Sequence, residues 1–393
     1  MRNYNSPINR NLPPIWRLSM FYTNARIFVN NRFRHGAFEV RDGRFGAVLP
    51  QEVPADAVDL GGLTVIPGLV DVHIHGAVGA DLSDGDYEGL TRMARHLASR
   101  GVTSFVPASM TLPYATLEKA FAAAQKLHEE KPEGCAKLLG IHMEGPYFSH
   151  KKKGAQNGAY LQDPDFEGFQ RLYGGCGGLI SIVDVAPELP GSADFVRKAS
   201  RLCTVGVAHT DASYEQARTA FGQGARHLTH LYNAMPPIHH RDPGVIGAAC
   251  EDPGVRAELI CDGHHVHPSA VRLAFAMFGA QRMILVSDGL RCLGLPDGQY
   301  ELGGQDIFLS GGVARLADGT LAGSCTDLFE CMRRCMGFGI PEESAVRAAT
   351  VNPALSAGIS EHCGSIAPGK PADFILCRPD YRNPRVFLAG KEI

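Results

Sequence analysis

Short apolar runs alternate with longer amphipathic segments along most of the chain, from about residue 67 to residue 357. The runs have the length of buried strands, whereas the segments between them repeat apolar residues at helical spacing. Strands that alternate with helices favour a parallel sheet, and eight such units match the size of a (β/α)8 barrel. The predicted strands are Leu69–His75, Ser104–Ala108, Ala136–Glu144, Ile180–Val185, Cys203–Ala208, His227–Leu231, Ala257–Asp262 and Met283–Ser287. The predicted helices include Tyr87–Ser99, Leu117–Glu130, Ala193–Leu202, Ser213–Gly222 and Pro268–Phe278.

The two flanks of this repetitive region have a different pattern. Residues 20–66 and 358–393 contain short β-branched or aromatic runs separated by turn residues, which is typical of small antiparallel strands. Residues 1–19 show no periodic apolar pattern. The sequence therefore predicts an α/β fold: a TIM-like (β/α)8 barrel of residues 67–357, a small β-sandwich lobe built from 20–66 and 358–393, and a loose extension at residues 1–19.

Two histidines, His73 and His75, end the first predicted strand. Because side chains alternate between the faces of a strand, both should point the same way, with Val72 and Ile74 packed on the other face. A shared face lets two imidazoles reach one metal ion, although histidines are also common as ordinary polar residues at strand ends. The pair alone leaves both interpretations open.

Other predicted strands end near residues of similar chemistry, namely Glu144, His209, His230 and Asp288. Taken singly, the two acids suit turns before glycine, and the two histidines suit hydrogen-bonded positions near a core. In a barrel, however, the carboxyl ends of the strands open onto one mouth, where all six side chains would meet. Converging nitrogen and oxygen ligands suit a hydrolytic divalent ion such as zinc, with room for water.

The composition narrows the class of protein. A net charge of -3 offers no general attraction for nucleic acid or an anionic membrane, so neither is expected as a partner. No apolar run approaches the ~20 residues of a membrane helix, and no signal-peptide pattern opens the chain, which favours the cytoplasm. The 11 cysteines include no C-x-x-C pair, which favours reduced thiols over a disulfide framework or zinc knuckle.

The sequence resembles the amidohydrolase superfamily and, within it, the N-acetylglucosamine-6-phosphate deacetylase family, from about Met20 onward. The resemblance lies in these blocks, in this order: Pro67–Gly76, His142–Tyr147, Lys152–Ala155, Ala186–Glu188, Ala208–Thr210, Thr229–Met235, Arg241–Gly244, Cys261–His265, Val286–Asp288, Leu321–Ser324 and Thr350–Ala354. It implies hydrolysis of a linear amide: the acetamide of N-acetyl-D-glucosamine 6-phosphate would yield D-glucosamine 6-phosphate and acetate.

The same resemblance implies roles for individual residues. Glu144, His209 and His230 would surround one ion, and His73 and His75 could build a second position that shares Glu144. One or two ions per subunit are expected, with zinc preferred to iron(II) or another divalent ion. Asp288 would act as general base and then general acid. The implied substrate contacts are Ala155, Gln156, Asn233, Ala234, Arg241, His265, Leu321, Ala322 and Gly323.

One residue departs from the family pattern. Relatives commonly have a histidine that helps to hold the substrate where this chain has Gln156, which keeps hydrogen-bonding capacity but cannot become cationic. An epimeric substrate, N-acetylgalactosamine 6-phosphate, or another acetamide therefore remains an alternative, as does a catalytically silent scaffold of the same fold. Relatives complete the phosphate site with residues of a second subunit, so the resemblance also implies a homodimer.

Overall fold

In the computed structural model, which describes residues 19–393, the two ends of the chain share one mixed eight-stranded sheet. Its strands are β1 (Ser19–Val29), β2 (Arg32–Arg41), β3 (Arg44–Val48), β4 (Val58–Asp59), β5 (Thr64–Pro67), β21 (Phe374–Cys377), β22 (Arg385–Leu388) and β23 (Lys391–Glu392). The order is β23-β22-β21-β5-β1-β2-β3, with β4 beside β1. Its core includes the stacked rings of Phe374 and Phe387, whose centroids lie 4.4 Å apart. The predicted extension lies outside the described residues, except for Ser19, which begins β1.

The middle of the chain forms two parallel sheets. Their strands are β6 (Leu69–Ile74), β9 (Val102–Pro107), β10 (Lys137–Leu138), β11 (Ile141–Met143), β12 (Ile180–Val185), β13 (Thr204–Val207), β14 (His227–Leu228), β15 (Arg256–Ile260) and β16 (Met283–Val286). Strands β11 to β16 form a curled six-stranded sheet, and β10, β9 and β6 form a three-stranded sheet. Parallel bridges join the sheets on both sides, between Ala108 and His142 and between Ile74 and Gly289. All eight predicted strands are confirmed, although the third is divided into β10 and β11.

Helices follow most of these strands. They are α1 (Tyr87–Ser99), α2 (Tyr114–Glu130), α3 (Phe166–Gly175), α4 (Ser192–Ala199), α5 (Tyr214–Gln223), α6 (Gly244–Glu251), α7 (Pro268–Phe278), α8 (Leu328–Gly337), α9 (Glu342–Ala348) and α10 (Val351–Ser356). Side-chain caps set several starts: Ser213, predicted as helical, is the N-cap of α5 and accepts a hydrogen bond from the Gln216 amide. Within residues 19–393, none of these helices is long and apolar enough to cross a membrane.

Two short antiparallel units interrupt the β/α alternation. After β6 comes the pair β7 (Gly76–Ala77) and β8 (Ala80–Asp81), and after β16 come β17 (Gly298–Leu302), β18 (Gln305–Ser310), β19 (Val313–Leu316) and β20 (Leu321–Ser324). The four-stranded unit is absent from the sequence prediction. A bridge between Gly289 and Ser324 joins it to the segment after β16, which brings β20 beside the predicted site.

Apolar residues lie on both faces of the parallel strands. One cluster fills the space between strands and helices, and a smaller inner cluster contains Val70, Val72, Val106, Ile182, Ile260, Ile284 and Val286. The expectation that Val72 and Ile74 share a face is wrong, because Val72 belongs to the inner cluster and Ile74 to the outer one. Pairing of β6 with β9 shifts register between Asp71 and Ile74, which breaks the strict alternation.

Candidate active site and metal centre

The six side chains expected to form one site lie together at the carboxyl ends of the parallel strands. His73 lies in β6, and the others stand just beyond a strand end; all six residues are buried: His73, His75, Glu144, His209, His230 and Asp288. Because parallel strands carry their carboxyl ends to the same edge of a sheet, separate segments of sequence reach one point.

Three of these residues have an unusual backbone conformation. His209, His230 and Asp288 have φ angles of 44°, 30° and 47°, in the left-handed region. Residues with a Cβ atom adopt this region at a cost of about 1–3 kcal/mol, and such residues cluster at functional sites. The left-handed turns occur immediately past the ends of β13, β14 and β16, where the three side chains join the same cluster.

Glu144, His209 and His230 form the tighter of two groups. Glu144 Oε1 lies 3.2 Å from His209 Nε2 and 3.1 Å from His230 Nε2, and the two Nε2 atoms are 3.1 Å apart. Ligand atoms around a tetrahedral zinc ion with bonds of about 2.0–2.1 Å lie about 3.3 Å apart. These three atoms therefore have the spacing of one face of a zinc coordination shell.

His73, His75 and Asp288 form the second group beside the first. Asp288 Oδ1 lies 3.3 Å from His75 Nε2 and 3.6 Å from His73 Nε2. Glu144 joins the groups, because its Oε2 lies 3.2 Å from His75 Nε2 and its Oε1 lies 3.5 Å from His73 Nε2. The carboxylate of Glu144 is thus placed between two potential ion positions.

The outward nitrogens of three of these rings contact oxygen acceptors. The distances are 2.9 Å from His209 Nδ1 to the Lys152 carbonyl, 3.2 Å from His75 Nδ1 to the Ala108 carbonyl and 2.9 Å from His73 Nδ1 to Glu258 Oε2. An acceptor at Nδ1 holds the proton there and leaves the Nε2 lone pair free for a metal. The buried Nε2 of His73 makes no hydrogen bond. These observations fit a divalent ion held by imidazole nitrogen and carboxylate oxygen.

A layer of buried polar residues lies beside the ligands and was not identified from the sequence. Glu258 Oε2 contacts His73 Nδ1 and accepts a hydrogen bond from the His230 amide at 3.1 Å, and Glu258 Oε1 accepts one from His227 Nε2 at 2.8 Å. Burial opposes its ionisation, but the adjoining rings of His73 and His227, which lie in hydrogen-bonding contact with the carboxylate, hold the pKa of Glu258 well below its usual range. The sequence did contain a signal for Glu258: it is an acidic residue among the apolar residues of β15, and a buried acid needs hydrogen-bonding partners.

His142 lies two residues before Glu144 in the chain and packs beside the ligand His73. Its Nε2 lies 2.9 Å from Asp184 Oδ2, and its Nδ1 lies 3.0 Å from the Val72 carbonyl. Its ring packs edge-on against His73, with centroids 4.6 Å apart. His142 therefore supports the neighbouring ligand through ring packing.

A cavity of about 260 Å³ opens beside the six residues. Every predicted substrate contact except Arg241 lines it: Ala155, Gln156, Asn233, Ala234, His265, Leu321, Ala322 and Gly323. Arg241 is exposed, and its guanidinium lies 2.7 Å from His240 Nε2. Within one chain, the cavity therefore gathers the predicted contacts without this arginine.

Two cavity residues have informative surroundings. His265 Nδ1 lies 2.7 Å from Asp262 Oδ2, and its Nε2 lies 2.8 Å from the Ala322 carbonyl. Burial opposes a charge here, but the bond to Asp262 raises the pKa of His265 above its usual value. At Gly323, a Cβ atom would lie 2.6 Å from the Asp288 carbonyl oxygen and 2.9 Å from Asp288 Oδ1, so only glycine leaves that carboxylate undisturbed.

Known proteins share this arrangement of the chain. The sequence matches the amidohydrolase family over residues 64–392. It is 37% identical over 372 residues to N-acetylglucosamine-6-phosphate deacetylase of Bacillus subtilis (strain 168), a match covering 91% of this chain and 92% of that protein. It is 32% identical to N-acetylgalactosamine-6-phosphate deacetylase of Escherichia coli O157:H7, covering 90% and 93%.

A solved structure is similar over almost the same length. It is an alanine-for-aspartate mutant of N-acetyl-D-glucosamine-6-phosphate deacetylase from Mycobacterium smegmatis, in complex with N-acetyl-D-glucosamine 6-phosphate. The TM-score is 0.89 at 32% sequence identity, and the match covers 95% of this chain and 99% of that chain.

Proposed function

Because the chain belongs to the amidohydrolase family, we propose that it is a metal-dependent deacetylase that converts N-acetyl-D-glucosamine 6-phosphate to D-glucosamine 6-phosphate and acetate. The observation that carries the proposal is the joint placement of Glu144, His209 and His230 beside Asp288, at the edge of a cavity. The relatives at 37% identity, which bear the name of this activity, support the choice of substrate.

The residues that would hold an ion are the two groups around Glu144. Nitrogen and carboxylate ligands at tetrahedral spacing favour zinc at Glu144, His209 and His230, with a second ion at His73 and His75. When bound, such an ion lowers the pKa of a water molecule toward ~7 and polarises a carbonyl oxygen. Iron(II) and other divalent ions remain alternatives, since imidazole and carboxylate also bind them.

Asp288 supplies the proton transfers. Hydrolysis joins the oxygen of water to the acetyl carbon and breaks the carbon–nitrogen bond, so one proton must leave the water and one must reach the amine. Asp288 borders the cavity, and its Oδ1 lies 3.3 Å from His75 Nε2. That carboxylate accepts the proton of water and delivers it to the departing nitrogen, serving as base and then as acid.

The cavity wall selects the acyl group. Leu321, Ala322 and Gly323 of β20 line it next to Asp288. Ala322 and Gly323 leave room for a methyl group beside Leu321, whereas a longer acyl chain would have to displace the strand. His265 and the Asn233–Ala234 segment also line the cavity, and we assign them to the phosphorylated end of the sugar.

We also propose the finer architecture. Residues 67–357 form a closed (β/α)8 barrel, supported by the two parallel bridges that join the parallel sheets on both sides. Residues 20–66 and 358–393 form a separate β-sandwich lobe, supported by their common sheet and by an apolar cluster of its own.

Acetate release by the purified protein tests the function. The substrates are N-acetylglucosamine 6-phosphate, unphosphorylated N-acetylglucosamine and N-acetylgalactosamine 6-phosphate, with metal content measured on the same sample. We expect rapid release from the phosphorylated glucosamine derivative alone. Release from the galacto epimer instead would favour the second candidate, which Gln156 and the galactosamine-specific relative keep open. A full metal site with no release from any of the three sugars would favour a different acetamide as the substrate, or a silent scaffold.

Arg241 and a homodimer complete the proposal. This arginine is exposed and lies outside the cavity of its own chain, beside the exposed Ile238. A guanidinium binds phosphate oxygens well, so an arginine delivered by a second copy would supply the charge that the cavity lacks.

Replacing Arg241 by alanine should raise KM for the phosphorylated sugar and leave kcat nearly unchanged, because the change removes binding far from the reacting amide. Steady-state kinetics measures this, with Arg382→Ala, another exposed arginine, as control. A second experiment mixes equal amounts of the Arg241→Ala and Asp288→Asn proteins and lets their subunits exchange. About half of the dimers should then be heterodimers, each with one complete site, so that about a quarter of all sites regain the wild-type KM. No restoration would mean that Arg241 acts only within its own chain or not at all.

A further inference from the structure

Gln156 lines the cavity, yet both ends of its amide contact protein. Its Oε1 accepts a hydrogen bond from the Thr111 amide at 2.8 Å, and its Nε2 donates to Glu144 Oε2 at 2.8 Å. Gln156 and Glu144 are 3% and 2% exposed, so water competes little for either bond. A residue expected to contact the sugar thus contacts the carboxylate at the centre of the ligand cluster.

The orientation of this amide is dictated by its neighbours. If the amide were turned over, its NH2 donor would face the N–H donor of Thr111, and its oxygen would face another acceptor, Glu144 Oε2. Both hydrogen bonds would be lost. Only one orientation satisfies both contacts, so the donor must face the carboxylate. The pairing is a fixed bridge between a backbone amide and a ligand.

The bridge determines how the Glu144 carboxylate is turned. Its Oε1 faces His209 and His230, while its Oε2 faces His75 and Gln156. A partial rotation about the bond to the carboxylate would break the bond to Gln156 and move both oxygens away from the imidazoles. Hydrogen bonds from neighbouring residues commonly orient metal ligands in this way.

The segment that carries Gln156 also supports a second ligand. The Lys152 carbonyl lies 2.9 Å from His209 Nδ1, so residues 152–156, here called the ligand-support loop, contact both Glu144 and His209. The loop is itself attached to β18, because Gln305 Nε2 donates to the Ala155 carbonyl at 2.7 Å. The loop thus has an independent anchor on the antiparallel unit.

We propose that Gln156 is a positioning residue that sets the orientation of Glu144 for metal binding, and that sugar recognition is not its main role. The inference rests on the proposed function for its kinetic consequences, but its consequence for metal affinity stands without it. Because the amide is neutral, it orients the carboxylate without cancelling its charge, which keeps Glu144 available as an anionic ligand.

The test compares Gln156→Met with Gln125→Met. Methionine keeps about the length and volume of glutamine but removes its amide. The first variant loses the bonds to Glu144 and Thr111, whereas the matched control loses a bond of the same kind outside the cavity, from Gln125 Nε2 to Glu129 Oε1 at 2.9 Å. Apo-protein is titrated with Zn2+ against a chromophoric chelator, and kcat and KM are measured after reconstitution. We expect Gln156→Met to weaken Zn2+ binding and lower kcat by about 10–100-fold, with KM changed by less than about threefold.

The control should bind Zn2+ with wild-type affinity. Unchanged Zn2+ affinity in Gln156→Met, together with a raised KM, would overturn the proposal and make Gln156 a sugar contact. If Gln156→Met does not fold, Gln156→Asn takes its place, since the shorter amide cannot span Thr111 and Glu144 together and should lose Zn2+ affinity likewise. If the wild type releases no acetate, the proposed function fails, but the Zn2+ titrations still decide the role of Gln156.

Discussion

Replacing Asp288 by asparagine is expected to lower kcat for acetate release by about 10²–10⁴-fold, the usual contribution of general acid–base catalysis. The change preserves the shape of a side chain that is packed against Gly323 and against the ring of His75. An amide cannot accept the proton of water, so the chemical step should fail while the sugar still binds. Substrate affinity, measured by calorimetry, should remain near the KM of the wild type.

The measurement needs a matched aspartate outside the cavity. Asp297 accepts a hydrogen bond from the Gly311 amide at 2.8 Å and does not line the cavity, so Asp297→Asn should retain full turnover. Asp288→Asn protein that turns over at the wild-type rate would refute the assignment of Asp288. Lost metal in the same protein would instead make Asp288 a ligand, which its place beside His73 and His75 allows.

Replacing Glu144 by alanine should remove both bound metal and activity. Its carboxylate lies within 3.5 Å of the Nε2 atoms of four histidines, so the substitution removes the oxygen shared by both ligand groups. Without a bound ion, neither the water nor the acetyl carbonyl is activated, and turnover should fall to the level of a blank. Elemental analysis and acetate release on the same preparation measure both effects.

The control for this variant is an exposed glutamate outside the cavity. Glu251 accepts a hydrogen bond from the Tyr214 hydroxyl at 2.5 Å, and Glu251→Ala should keep a full complement of metal. Wild-type protein treated with a chelator should behave like Glu144→Ala and recover when the ion is returned. A metal-filled Glu144→Ala protein would contradict the ligand assignment.

The six candidate residues were predictable because each stands where a recognisable strand ends. A parallel sheet carries all those ends to one edge, so identifying His73, His209 or Asp288 at a strand end was enough to place it near the others. The hydrophobic pattern does not predict which atoms of these residues face each other. The position of Glu144 between the two ligand groups depends on side-chain directions, which are set by the packing of strands far apart in sequence.

The supporting residues were harder to find for a physical reason. Glu258 and Asp184 belong to apolar strands, and only their hydrogen bonds to histidines of neighbouring strands explain why a buried acid is tolerated there. The contacts of Gln156 could not be predicted from the sequence either, since its partners, the amide of Thr111 and the side chain of Glu144, lie 45 and 12 residues away in the chain. A single sequence gives no pairing between such distant positions.

The antiparallel unit of β17 to β20 could have been recognised. Gly303-Gly304, Gly311-Gly312 and Asp318-Gly319 recur at intervals suited to hairpin turns, a pattern that indicates short antiparallel strands. Because continuous β/α alternation was expected, this unit was not predicted. The omission had little effect on the predicted site, because Leu321, Ala322 and Gly323 were already among the implied substrate contacts.

The pairing of the chain's two flanks has a consequence for biosynthesis. Residue Phe374 of β21 pairs with Pro67 of β5, so the strands that complete this sheet are made about 300 residues apart. At translation rates of about 5–20 residues per second, β5 waits roughly 15–60 s for its neighbour. Throughout that interval the edge of β5 that later pairs with β21 is open to pairing with other chains. A chaperone that covers this edge would therefore protect the ribosome-bound protein from aggregation.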